Sequence, residues 1–326
     1  MPALLRVVSK LAQLLFVLWA VATILFLMFR LMPGNPLVAY IDPNFTAEQQ
    51  EILMRQFGLD RPLIEQYGIY LWNLAHGELG DSFFYRAPVA ELIWNVFPAT
   101  LVLTLTALVI AYVFGVLMGA LLAYKRGTWI ENIGIPLVLT TRAAPEFWLG
   151  MLLLAFFSFT LGWVPAGGAV SPGATFSGPF DRYLSLDFLS HLFLPALTLA
   201  VYLQGLPLLL MRSNMLDVLG EDFVTMARIK GLSEWTVVVR HAARNALLPV
   251  VTAFALGIGY AIGGNVVIET VFSWPGIGRL LVQAVSASDY PLAQGAFLMI
   301  AFVMILMNAV ADLLYGFLDP RVSHGG

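Results

Sequence analysis

Uncharged apolar runs recur along the chain at about the length a helix needs to cross a bilayer core of roughly 30 Å, some 20 residues. Leu11–Phe29 is apolar apart from Gln13 and a few small polar groups, and Pro98–Tyr124, Leu192–Met211, Ala246–Ile268 and Tyr290–Ala311 carry no charge at all. Ile133–Trp163 is long enough to span but holds Arg142 and Glu146 with Pro145 between them, which predicts a helix broken or displaced near that point. The pattern predicts an all-α polytopic membrane protein with six transmembrane helices. Composition agrees: 60% of residues are hydrophobic and only 11% charged, against about 25% charged in a soluble domain.

Arg6 and Lys10 precede the first run, and Ala20, Val21 and Ala22 imitate a signal-peptidase site, but the run continues through Phe29, which favours a retained helix. Orientation follows from the basic residues of the short loops. One side collects Arg6, Lys10, Lys125, Arg126, Arg212, Arg228, Lys230, Arg240, Arg244 and Arg321, and the other only Arg182 and Arg279. The positive-inside rule therefore places both termini in the cytoplasm. With no cysteine in the chain, disulfides, thiolate metal sites and cysteine nucleophiles are excluded. Four scattered histidines form no metal motif.

The connection 33–97 is long enough to translocate whatever its charge, and it holds eight of the twenty acidic residues. It reads as an external subdomain with short helices starting after Thr46 and Pro62 and closed by Gly77 and Gly80. It serves either as a lid over helix ends or as a docking surface for an external partner. Pro165–Pro179 reads as an external turn-rich loop.

The most polar stretch is the cytoplasmic excursion 213–245. Asp222–Lys230 predicts a helix, and Gly231 supplies the freedom to end it and turn. Ser233 is placed to cap a second helix, with Glu234 at its positive end. Trp235, Val239, Ala242 and Ala246 share one face of that second helix, while Arg240, His241, Arg244 and Asn245 share the other. An interfacial helix holding anionic headgroups would look the same by composition.

The stretch "ARIKGLSEWTVVVRHAARNALLPVVT" (227–252) resembles the EAA-motif loop of inner-membrane permease subunits of ATP-binding cassette importers, in the dipeptide/oligopeptide branch. The match places Ala227 and Gly231 on the motif's alanine and glycine. Thr225 and Met226 stand where the general motif has Glu-Ala, and Leu248 and Pro249 lie farther from the glycine, as that branch has them. "RLMPGNP", "FGLDRPLIEQY", "GELGDSF", "PATLVLTL", "IETVFSWPGIGRLL", "DYPLAQG" and "DPR" also resemble the branch's signatures, in order along nearly the whole chain.

The resemblance implies a type I importer transmembrane fold and a permease that is half of a pathway for peptides or peptide-like solutes. It implies as partners a second homologous permease, two cytoplasmic ATPase subunits, an external solute-binding protein and the membrane lipid, and no nucleic acid. The chain has no GxxxxGK[ST] loop, so no cofactor is expected on it. ATP and Mg would belong to the partner ATPases. The coupling residues so implied are Glu221, Asp222, Thr225, Ala227, Arg228, Lys230, Gly231, Ser233, Arg240, His241 and Arg244.

Ionisable residues at membrane depth are costly and point to function. Arg142 and Glu146, four apart, could pair on one helix or act in gating. Gln204, Asn265 and Asn308 are single polar groups in apolar spans, suited to interhelical hydrogen bonds or to lining a pathway. Glu269, near the external mouth implied by the family, is a gate-region residue or a solvated helix end. Gly115/Gly119 and Gly259/Gly263 have the spacing of close helix contacts. A secondary transporter or channel independent of ATP is the alternative, but its matching halves are not evident. An intramembrane enzyme would need a buried catalytic pair, and none is evident in the sequence.

Overall fold

The computed structural model describes residues 2–31, 46, 48, 60–262 and 265–318. Helices dominate: α1 (Pro2–Arg30), α2 (Leu63–Ala75), α3 (Val89–Tyr124), α4 (Trp129–Ala143), α5 (Glu146–Leu153), α6 (Pro179–Leu184), α7 (Leu186–Leu203), α8 (Gly205–Leu219), α9 (Asp222–Ile229), α10 (Glu234–Thr236), α11 (Arg244–Ile262), α12 (Val266–Val271), α13 (Ile277–Ser286) and α14 (Tyr290–Leu318). Among the described residues, five helical segments are long and apolar enough to cross a membrane, and α4 with α5 and its continuation makes a sixth if the bent pair is one span. Burying every backbone amide within the helix is what suits these segments to hydrocarbon.

The predicted break in the third span is present as a 104° bend between α4 and α5. Pro145, which cannot donate a hydrogen bond, forces Ala144 into an extended conformation (ψ 140°) and so ends α4. Two further runs are also interrupted. Leu192–Met211 divides into α7 and α8 at Gln204, and Ala246–Ile268 into α11 and α12. Pro249 lies inside α11. In the external connection, Pro62 is the N-cap of α2, and Gly77 and Gly80 adopt positive φ (80° each) beyond its end. The helix expected after Thr46, the "RLMPGNP" and "DPR" motifs apart from Arg30 and Leu31, and Gly263 fall outside the described residues.

The chain forms two compact units, residues 1–100 with 275–305 and residues 101–274 with 306–326. The core of the first gathers Leu25 and Phe29 of α1, Val89 and Ile93 of α3, Ile277, Leu280, Leu281 and Ala284 of α13 and Leu292, Ala293 and Ala296 of α14. A buried carboxylate ties this unit together. Asp289 accepts hydrogen bonds from the Ser82 hydroxyl, from the backbone of Phe83 (3.2 Å) and Phe84 (3.1 Å), and from Leu292 N (3.3 Å). Thr100 Oγ1 accepts from Ile277 N at 2.9 Å and so fixes the start of α13 to α3.

The second unit packs α3, α8 and α11 around Leu108, Tyr112, Ala123, Met211, Met215, Ala242, Ala246 and Val250. Gly115 and Gly119 let α3 meet α8 backbone to backbone: a methyl on Gly119 would lie 2.4 Å from the Leu208 carbonyl oxygen. That is the close approach the four-residue spacing predicts.

Candidate functional site

The polar block between α8 and α11 is a built element. α9 runs Asp222–Ile229 behind the N-cap position of Glu221, and Lys230 closes it. Gly231 follows with φ 75°, a conformation that costs most other residues about 1–2 kcal/mol. Ser233 then caps α10, its Oγ accepting from Thr236 N at 3.3 Å. Arg228 crosses the turn to Glu234 (2.9 Å), an exposed pair that holds the guanidinium above its ordinary pKa through the charged hydrogen bond. The block's inner side is Val224, Ala227 and Val237, all buried. Its outer side is uncovered: Ile229 is 74% and Trp235 77% exposed, with Met226 and Leu232 also exposed. Thr225, Lys230, Arg240 and Arg244 are exposed and His241 is half-buried.

The face expected for the second helix is corrected here. Val237–Ala243 winds as a π-helix, and the residues turned inward are Val237, Val238, Ala242 and Ala246, while Trp235 and Val239 point out. Wider winding changes the angle between successive side chains, so a 3.6-residue pattern misassigns positions on either side of it.

Glu131 at the first turn of α4 joins Arg212 of α8 to the α3–α4 turn. Its Oε1 accepts from Arg212 Nε (2.9 Å) and Nη2, and its Oε2 from Gly127 N (2.6 Å). The carboxylate is 6% exposed, and no local pattern announces a partner 81 positions away.

Among the polar residues of the spans, the structure brings some together and separates others. Arg142 and Glu146 do not pair, because the bend at Pro145 carries them onto different helices. Glu146 instead accepts from Asn265 Nδ2. The same Asn265 caps α12, its Oδ1 accepting from Ile268 N at 2.9 Å. Arg142 lines a cavity of about 290 Å³ in the second unit, with Thr104, Leu108, Tyr112, Leu199, Tyr202, Leu203, Leu206, Gly257 and Asn265. Gln204 is buried at the α7–α8 break, its carbonyl accepting from Leu208 N. Glu269 is fully buried in α12, which corrects its reading as a solvated helix end. Asn308 is exposed on α14. Among the described residues no group of His, Asp and Glu could hold a metal ion.

Among the described residues, the chain has five to six candidate spans, several of them broken, and a largely apolar cavity into which a few polar side chains point. Residues 111–324 match the model of the binding-protein-dependent transport system inner membrane component, and residues 4–104 match that of the same component's N-terminal region. The chain belongs to this family. It is therefore a multi-pass inner-membrane permease component, not itself the catalytic subunit. It is 40% identical to the di/tripeptide transport system permease protein DppB of Pseudomonas aeruginosa, over 98% of both chains. It is 37% identical to the glutathione transport system permease protein GsiC of Escherichia coli, again over 98% of each. A chain of the inward-facing MetNI methionine ABC transporter superposes with a TM-score of 0.51 at 15% identity, covering 70% of this chain and 97% of that one. The expected type I importer fold is thus borne out.

Proposed function

We propose that this chain is one half of the pathway of an ATP-driven importer of short peptides, paired with a second homologous permease, fed by an external solute-binding protein and energised by two ATPase subunits that hold ATP and Mg. The observation that carries the peptide reading is the full-length identity to permeases named for di- and tripeptides and for glutathione, itself a peptide. The distribution of basic residues supports a cytoplasmic 213–245 and an external 33–97.

The 213–245 block is the coupling element. Its inner residues anchor it to α8 and α11, and its uncovered tip offers apolar side chains to a partner protein, where isolated exposure to water would be unfavourable. Glu221, Asp222, Thr225, Lys230, Arg240, His241 and Arg244 are the polar margin of that contact, Ala227 packs its floor, and Arg228, Gly231 and Ser233 set its turn. Rigid helices joined to spans transmit a push from the ATPase. Arg142, Gln204, Asn265 and the Glu146 that Asn265 holds belong to the pathway, Glu269 to the gate region, and Asn308 to an exposed face of the last span.

Ile229→Asp and Trp235→Asp should insert and assemble yet lower receptor-stimulated ATP hydrolysis at least tenfold, about 1.4 kcal/mol or more of coupling. The chain lacks cysteine, so a single cysteine at 229 gives a clean cross-link to the ATPase. Full stimulation in both aspartate variants, with no cross-link at 229, would reject the block as the coupling element.

A further inference from the structure

We propose that the cavity of the second unit binds the carboxylate terminus of the transported peptide, with Arg142 as its counter-ion. The inference rests on the peptide reading above and adds which end of the substrate the permease itself recognises.

Arg142 lies near the end of α4 within the third apolar run, exposed in the single chain and without a carboxylate partner among the described residues, and the acid nearest in sequence, Glu146, is engaged by Asn265. A charge in a span calls for compensation. The C-terminal end of α4, where Arg142 sits, supplies about half an elementary charge and so leaves part of the guanidinium uncompensated. Gly205 lies against the aliphatic stem, a methyl there coming within 3.2 Å of Arg142 Cδ, so the stem is steered from behind.

The other polar groups lining the cavity are suited to an anion. Tyr112 and Tyr202 contribute hydroxyls that can donate, while the Thr104 hydroxyl donates to the Leu101 carbonyl. Asn265 donates to Glu146 through its amide nitrogen and accepts from Ile268 N through its oxygen, so both of its polar atoms are already engaged in holding the local fold. No carboxylate is among the lining residues. The guanidinium fork matches a carboxylate in two parallel hydrogen bonds. Leu108, Leu199, Leu203 and Leu206 supply an apolar wall that tolerates varied side chains. A volume of about 290 Å³ lies at the small end of ligand pockets and suits a chain terminus with one or two small residues. The cavity also adjoins helix interruptions at Pro145 and Gln204, the places where transporters build substrate sites.

The test uses the assembled permease pair with its ATPases, free of receptor so that the receptor's own selectivity does not enter. Binding of radiolabelled dialanine is compared with that of its C-terminal amide, in native, R142Q and R142K complexes. The native complex should bind the free acid at least tenfold more tightly than the amide. R142Q should bring that ratio near one by weakening only the acid, and R142K, which keeps the charge but not the fork, should retain part of it. Equal binding of acid and amide by the native complex, or an unchanged ratio in R142Q, would overturn the site while leaving peptide transport standing. The peptide reading falls separately, and the site with it, if the complete native assembly with receptor and ATP transports no peptide.

Discussion

Gly119→Leu should destabilise the second unit by about 3 kcal/mol or more, at or beyond the upper end of ordinary overpacking. The neighbours leave no room: the first added carbon would meet the Leu208 carbonyl oxygen at 2.4 Å, Met211 Cβ at 2.9 Å and Arg212 N at 3.1 Å. Two of these atoms are backbone, so relief requires α3 and α8 to separate. Separation would expose the packing of Met211 and Met215, which are wholly buried, and would pull Arg212 from Glu131. Thermal unfolding of the detergent-purified chain reads the loss directly. Gly68→Ala is the control, because nothing lies within 4 Å of its added methyl in α2, and removing a helical glycine should stabilise by up to about 1 kcal/mol. Equal melting temperatures for Gly119→Leu and the native chain would contradict the close approach of these helices.

Asp289→Ala should cost the first unit about 3 kcal/mol or more, since each buried donor left without an acceptor costs about 1–3 kcal/mol. The carboxylate is completely buried and serves the Ser82 hydroxyl and the amides of Phe83, Phe84 and Leu292. Ser82 Oγ in turn accepts from Tyr85 N at 2.9 Å, so removing the carboxylate loosens the whole turn before α3. Arg86 follows that turn in a left-handed conformation (φ 53°) and is exposed. Faster tryptic cleavage after Arg86 is the local readout, and a native digestion pattern in Asp289→Ala would contradict the role given to this residue.

Much of this architecture was legible in the order of apolar residues, because hydrocarbon permits only long self-satisfied helices and leaves correspondingly long signatures. The glycine turn at Gly231 and the cap at Ser233 were legible for a local reason: positive φ and side-chain capping are properties of a residue and its near neighbours. Pro145 announced the bend that separates Arg142 from Glu146, yet a four-residue spacing still suggested a pair, since periodicity presumes an unbroken helix. The π-helical turn at Val237–Ala243 hid the inward face for a related reason, as its winding follows tertiary packing more than composition. Glu131 with Arg212, Glu146 with Asn265 and Ser82 with Asp289 are joined only in space, across 81, 119 and 207 positions, and no local pattern marks them.

ATP-driven uptake of a labelled dipeptide into proteoliposomes, with the permease pair, both ATPases and the receptor present, tests the central claim most directly. Uptake should require ATP and receptor together and should fall at least tenfold when this chain carries Trp235→Asp, about 1.4 kcal/mol of lost coupling. Uptake that proceeds without the ATPase subunits, or that is unaffected by Trp235→Asp, would contradict a permease driven through its cytoplasmic block and would favour a transporter that works alone.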